Sequence, residues 1–300
     1  MIQKLKDLLG PNPFQIEPMN LERDYEDIDR LFDQEEWPFL RSDLEVSHAQ
    51  PQSVALVARI NGTIAGFFAT HPFGPVGYLD MMITVPEFRS RGVTRHLYVA
   101  AMHALRKNGI TAFVVHTTHD SAPLIKFLGF APGQTFTLLR REPSRPVTKS
   151  TNPIPKGRLG KTNAQELVDL DSEIFHFRRP SWVNTLLSQP DVLFFGNVQA
   201  DDLKASLCLR PRKGNAFCLD GANATSFTNL APLLGDVLSG YGNHRLECFV
   251  RTGSELHRVL ESNGFVVPDF FKSIGPLIEW RKGDTVAMGL TPQIQCLSWF

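Results

Sequence analysis

The chain has little cysteine. Four are spread through 300 residues (Cys208, Cys218, Cys248 and Cys296), all in the second half, and none forms a Cys-x-x-Cys pair. This argues against a disulfide framework or a cysteine-based zinc site, and the thiols read as buried and reduced in a cytoplasmic setting. With no cysteine in the first half, a cysteine acyl-enzyme there is excluded by composition. Charge of either sign is not in excess, since Lys+Arg and Asp+Glu balance to a formal net charge of 0. The basic footprint of a nucleic-acid binder or a membrane-surface protein is therefore missing. No apolar run approaches the roughly 20 residues that span a bilayer. Residues 1–10 are too polar for a secretory signal and read as a short amphipathic helix stopped by Gly10-Pro11. What remains, 42% hydrophobic and 21% charged, describes a globular chain of one large or two medium domains.

Turn residues divide the first half clearly. Phe14–Met19 reads as a strand, and Leu21–Glu36 as a helix with apolar positions at Leu21, Tyr25, Ile28, Leu31 and Phe32. A second helix is expected over Ser42–Gln50, with Ser42 as N-cap. Ser53–Ile60 and Thr63–Thr70 flank Asn61-Gly62, a strong hairpin signal. Gly77–Val85 is a strand, Arg95–Lys107 a helix closed by Asn108-Gly109, and Ala112–Thr117 a strand. Asp120–Leu128 follows as a short helix with Asp120 as N-cap, and Thr135–Arg141 as a last strand. His71, before Pro72, is read as a strand end. Phe14, Phe67, Phe68, Phe113 and Phe130 are assigned to the core.

A proline-rich stretch over 143–156 suits a linker rather than a helix or central strand. It divides the chain into 1–142 and 157–300. Beyond it the pattern returns. Phe113 to Phe130 and Cys248 to Phe265 share a strand, a polar turn, a short helix and a terminal Gly-Phe at equal spacing. Ala164–Phe175 echoes the first helix, and Val192–Val198 with Ala205–Leu209 echoes the hairpin. Two copies of one fold are expected.

The chemistry concentrates where the strand ending at Val85-Pro86 passes through Arg89-Ser90-Arg91-Gly92-Val93-Thr94 into a helix. A glycine-bearing loop at a helix N-terminus offers unpaired N–H groups and the positive end of the helix dipole. Arg89, Arg91 and Arg95 add charge suited to a polyphosphate. The spacing is neither a nucleotide-triphosphate P-loop nor the dinucleotide glycine fingerprint. The second copy has no arginine at the corresponding place, taken as Leu219 to Phe227, and Asp220 there opposes an anion.

Arg89-x-x-Gly92-x-Thr94 resembles the Arg/Gln-x-x-Gly-x-Gly/Ala pyrophosphate loop of the GNAT superfamily of acetyl-CoA-dependent N-acetyltransferases, with Thr94 where that family usually has Gly or Ala. The resemblance covers residues 14–141 well and the rest loosely. It implies an α/β (α+β mixed sheet) class with two tandem GNAT-like domains, each a central, mostly antiparallel sheet flanked by helices. The second domain is degenerate and shapes the acceptor site. It also implies acetyl-CoA as cosubstrate and a small-molecule or peptide amine as acceptor. By the same resemblance, pantetheine pairs with backbone at Ile83, Thr84 and Val85 in a splay between strands 77–85 and 112–117. Arg89 and the backbone of Ser90, Arg91, Gly92, Val93 and Thr94 take the pyrophosphate, and an N–H near Met82 or Ile83 polarises the thioester carbonyl. Thr118 stands where the family often has an asparagine that contacts pantetheine.

Strand alternation places Tyr78, Asp80 and Met82 on one face, which makes Asp80 a candidate base. His119, beside His116 and Asp120, is a second candidate for the chemistry. His116-x-x-His119 lacks a third ligand, so no metal is expected. A family tyrosine that serves as general acid has Ile125 in its place. The loop Gln34 to Phe39 falls where relatives build a lid over the acceptor. Two functions stay open on the sequence: acyl transfer to an amine, and acyl-CoA binding or sensing without turnover. A scaffold without ligand is a third, against which the three arginines count.

Overall fold

The turn at Asn61-Gly62 starts the sheet. In the computed structural model, which describes residues 14–143, 157–175 and 178–283, these two residues take φ of 49° and 83°, as a two-residue type I′ turn requires. They join β2 (Ala55–Ile60) to β3 (Thr63–Phe73). β1 (Gln15–Pro18) pairs outside β2, and β4 (Val76–Thr84) pairs with the other side of β3. The helix expected over 1–10, residues 144–156 of the linker, and Cys296 lie outside the described residues.

The helices of this half follow from their ends. α1 (Leu21–Gln34) begins at Asn20, whose side chain accepts the N–H of Arg23, with Glu22 and Asp24 in the first turn complementing the dipole. It buries Ile28, Leu31 and Phe32. α2 (Arg41–His48) starts one residue earlier than expected. Ser42 is inside it and does not cap, because Asp43 reaches back to accept the Leu40 N–H at 2.8 Å. α3 (Val93–Lys107) follows β4, and α4 (Ala122–Phe127) follows β5 (Ala112–Thr117) through a 3-10 turn at His119–Ser121. Asp120 lies within that turn and caps nothing, Thr118 and Ser121 holding the cap positions.

The second half runs β7 (Arg158–Leu159), α5 (Ala164–Phe175), α6 (Pro180–Ser188), β8 (Leu193–Gln199), β9 (Asp202–Arg212), β10 (Ala216–Ala224), α7 (Phe227–Gly240), β11 (Arg245–Arg251), α8 (Glu255–Ser262), α9 (Asp269–Ile274) and β12 (Leu277–Lys282). With β6 (Ala131–Arg141), the strands make one 12-stranded sheet in the order β1-β2-β3-β4-β5-β12-β6-β11-β10-β9-β8-β7. Its strands pair antiparallel except at β4–β5 and β10–β11. The two expected sheets are thus continuous, and they exchange their last strands. β6 pairs with β11, while β12 enters the first half beside β5. Trp280 secures the insertion by burying its ring against the α3 side and donating Nε1–H to Thr117 Oγ1 at 3.0 Å.

One apolar cluster at the seam belongs to both halves, with Tyr78, Val114 and Phe136 meeting Leu170, Ile174 and Trp182. Buried ion pairs cross the same seam. Asp43 of α2 accepts from Arg210 and from Arg212 (3.0 Å), and Arg210 Nη1 donates to Asp220 Oδ2 at 2.9 Å. Burial works against the Arg210 charge, but Asp43 and Asp220 hold it firmly protonated. Burial also pushes the Cys218 thiol up to about 12, in keeping with inert thiols.

The loop expected in the second half over 219–227 is mostly strand. β10 runs to Ala224, and only Thr225 and Ser226 connect it to α7. Gly221 and Asn223 look like loop residues but belong to a β-bulge between Asp220 and Asn223.

Candidate active site

The site forms where β4 and β5 part. Their parallel pairing covers Val76↔Ala112, Gly77↔Phe113 and Tyr78↔Val114 and then stops, while β5 continues to pair with β12 through Thr117. A register shift between β3 and β4, from Phe68↔Met82 to Thr70↔Leu79, places a bulge at Asp80-Met81. The bulge breaks the alternation on which the shared face of Tyr78, Asp80 and Met82 rested. Met82 turns to the α3 side, Met81 packs toward α1, and Asp80 faces His71.

At the open end of the splay, residues 85–92 lead into α3. Gly92 is its N-cap, with φ of 85°, a left-handed conformation that an L side chain resists. Among the described residues no side-chain cap hydrogen bond closes this helix start, which leaves its first N–H groups available. Val93 contributes backbone only, since its side chain is in the core against Gly66. Thr94 Oγ1 lies 2.8 Å from Thr84 Oγ1 and closes the loop onto the end of β4. Arg89 and Arg91 are exposed, and Arg91 lies over the Phe88 ring. Arg89 Nε donates to the Thr84 carbonyl at 3.2 Å, while its Nη2 pairs with Glu35.

Between the end of α1 and β4 is a cavity of about 190 Å³ lined by Glu35, Trp37, Met82, Ile83, Thr84, Arg89 and Thr94. Trp37 stacks on Phe32 and meets Phe39 edge-on. The segment expected as a lid therefore supplies one wall. Ile83 and Thr84 line the cavity, and Val85 and Ser90 belong to the connection beyond it. Thr118 is half-buried at the other side of the splay.

Asp80 is not alone. Its carboxylate is wholly buried, with Oδ2 3.2 Å from His71 Nδ1 and Oδ1 3.9 Å from His116 Nδ1. The other ring nitrogen of His116 lies 3.9 Å from Glu279 Oε2, on the inserted strand β12. His71 is inside β3, not at a strand end. Pro72 is tolerated there because β2 pairs with β3 only as far as Ala69. His119 is exposed on the 3-10 turn, and no hydrogen bond or ion pair found among the described residues ties it to Asp80. Ile125 is a core residue packed under α3. Among the described residues no group of His, Cys, Asp and Glu is arranged to hold a metal ion.

Sequence reading missed Glu279 beside His116 and the contact of His71 with Asp80. Hairpin counting alone would have set His71 opposite Tyr78. Nothing local announces that Glu279 lies beside His116.

Residues 19–130 match the family model of the acetyltransferase (GNAT) family. No curated protein matches the sequence. Solved structures similar to the whole chain include a Pyrococcus horikoshii protein described as an acetyltransferase, with 13% identity, 97% of this chain and 96% of that one covered, and a TM-score of 0.72. A tandem GNAT protein from the clavulanic acid biosynthesis pathway is 15% identical over 90% of this chain and 98% of that one, with a TM-score of 0.61. A GCN5-related N-acetyltransferase from Sphaerobacter thermophilus is 13% identical over 91% and 96%, with a TM-score of 0.63. At these identities the likeness concerns the fold, which is that of GNAT acetyltransferases, the tandem arrangement included.

Proposed function

We propose that the chain transfers an acyl group, acetyl in the first instance, from acyl-CoA to a primary amine. The observation that carries this reading is one continuous feature. The splay opening after Tyr78 and Val114 leads past the cavity at Met82–Thr84 to the uncapped, arginine-flanked N-terminus of α3. The N–H groups of residues 90–94 suit a pyrophosphate. Arg91 is free to approach it, and Arg89 would exchange Glu35 for phosphate oxygens. The donor supplies a thioester reactive enough for direct attack, so no acyl-enzyme is required. The chain's part is to hold the thioester carbonyl against an N–H of β4 near the bulge and to take a proton from the ammonium, the role assigned to Asp80. Glu35 and Trp37, in the wall of the cavity beside β4, offer the amine a carboxylate and a ring.

A second reading, acyl-CoA binding without turnover, is favoured by the complete burial of the Asp80 carboxylate and by Ile125 in the core. Calorimetry and a CoA-thiol release assay over a panel of alkylamines and amino sugars separate the two. Acyl transfer predicts binding of one acetyl-CoA per chain and thiol release with at least one amine. Binding without release from any of them supports the second reading, and no binding removes both.

A further inference from the structure

Four buried titratable side chains form a row across the sheet. His71 on β3, Asp80 on β4, His116 on β5 and Glu279 on β12 follow one another strand by strand. Their order is set by register. Extending the β4–β5 pairing by two residues from Tyr78↔Val114 brings Asp80 opposite His116, and His116↔Glu279 is a direct pair of the β5–β12 ladder. Room has been left for the last member. A Cβ at Gly133 of β6 would stand 2.5 Å from Glu279 Oε1, and the β6–β12 pairing slips between Ile278 and Trp280. Glu279 Oε1 accepts from Arg281 Nε at 2.6 Å and from the Gln134 N–H at 3.4 Å. Among the described residues nothing donates a hydrogen bond to its Oε2 or to Asp80 Oδ1, and these two oxygens face the two nitrogens of the same imidazole.

From this row we infer that His116 and Glu279 relay the proton that the acceptor amine gives up, carrying it from Asp80 to the inserted strand β12. The inference rests on the acyl-transfer reading above. Converting an ammonium and a thioester into an amide and a free thiol releases one proton. In the relay an N–H bond of the ammonium breaks as an O–H forms on Asp80. The Asp80 proton passes to His116 Nδ1 while the Nε2 proton passes to Glu279 Oε2, and Glu279 loses it to solvent past the partly exposed Arg281. The amine's second proton leaves with the thiolate. The 3.9 Å separations shorten when the site is filled, as apo geometries commonly do. Glu279 and His116 are positioning residues, since neither touches substrate. The C-terminal half thereby supplies part of the chemistry of the N-terminal one.

The test uses the full chain with acetyl-CoA and paired acceptors, alkylamines that are protonated at neutral pH and hydrazides or arylamines that are not. Glu279→Gln keeps the shape and the Arg281 contact. It is expected to lower kcat for alkylamines about ten- to a hundredfold, to leave KM for acetyl-CoA within about twofold, and to spare the unprotonated acceptors. In an Asp80→Asn background the same change should add nothing, because the two act in series. Glu279→Asp should restore part of the loss, and it serves as the measured variant if the glutamine form does not fold. An equal loss with both acceptor classes, or kcat within about twofold of the parent for alkylamines, overturns the relay while leaving acyl transfer intact. A parent protein that releases no CoA with either class overturns the acyl-transfer reading itself.

Discussion

The two halves build the same strand-to-helix crossover and finish it in opposite ways. From β4, residues 85–92 lead to a helix whose N-cap is Gly92 and whose first turn has no side-chain cap. From β10, Thr225 and Ser226 suffice, and Ser226 caps α7 by accepting the Asn229 N–H. One helix start is left open to an anion, and the other is closed by the chain's own hydroxyl. The strands just before repeat the contrast. Asp80 and Asp220 occupy the same place in β4 and β10, each beside a bulge and each diagonal to a cationic or basic residue on the neighbouring strand, His71 or Arg210. Asp220 is committed to Arg210, which is also committed to Asp43. Asp80 has one oxygen turned toward a second imidazole. The same frame therefore holds two different arrangements, a carboxylate between two imidazoles in the first half and a carboxylate tied to an arginine in the second.

The sharpest way to break that contrast is to remove Arg210. Arg210→Leu leaves Asp43 and Asp220 buried without their shared cation, a defect of about 3–5 kcal/mol, read as a lower midpoint in urea unfolding. Burial already raises the Asp220 pKa against the pull of Arg210. If the variant is as stable as the parent, the network is not what holds the seam. Next in size is Arg91→Ala in the open crossover, expected to weaken acetyl-CoA binding about tenfold, or about 1.4 kcal/mol, with unfolding unchanged because Arg91 is exposed. Unchanged affinity would remove the loop from the binding site.

Much of this was legible because it is local. Asn61-Gly62 specifies its hairpin, the apolar spacing of Ile28, Leu31 and Phe32 specifies α1, and Arg89 to Gly92 marks the open helix start. Bulges were not legible. Asp80-Met81 looks like ordinary strand, and Gly221 with Asn223 looks like loop, because a single extra residue in a ladder leaves no compositional trace. The strand exchange was hidden for a different reason. Whether β6 pairs with β12 and β11 or stays beside β5 depends on contacts between residues more than 100 positions apart, such as Trp280 with Thr117. Glu279 could not be placed in the site before that pairing was known. The arginine-bearing loop could be read as a unit, whereas the buried row of His71, Asp80, His116 and Glu279 is assembled from four strands.

The smallest expected effect bears most directly on the comparison of the two helix starts. Ser226→Ala removes the α7 cap and should cost about 1 kcal/mol of stability, seen as a modest drop in the unfolding midpoint. It also recreates in the second half what the first half has, a helix start without a side-chain cap. If an uncapped N-terminus were enough for the cofactor, calorimetry on this variant would register a second acetyl-CoA per chain. The expected stoichiometry remains one, because Thr225 and the residue at 226 make too short a connection to wrap a pyrophosphate and bring no arginine to it. A second binding event would show that the cap alone silenced the second half; its absence assigns the silence to the loss of the arginine-bearing connection.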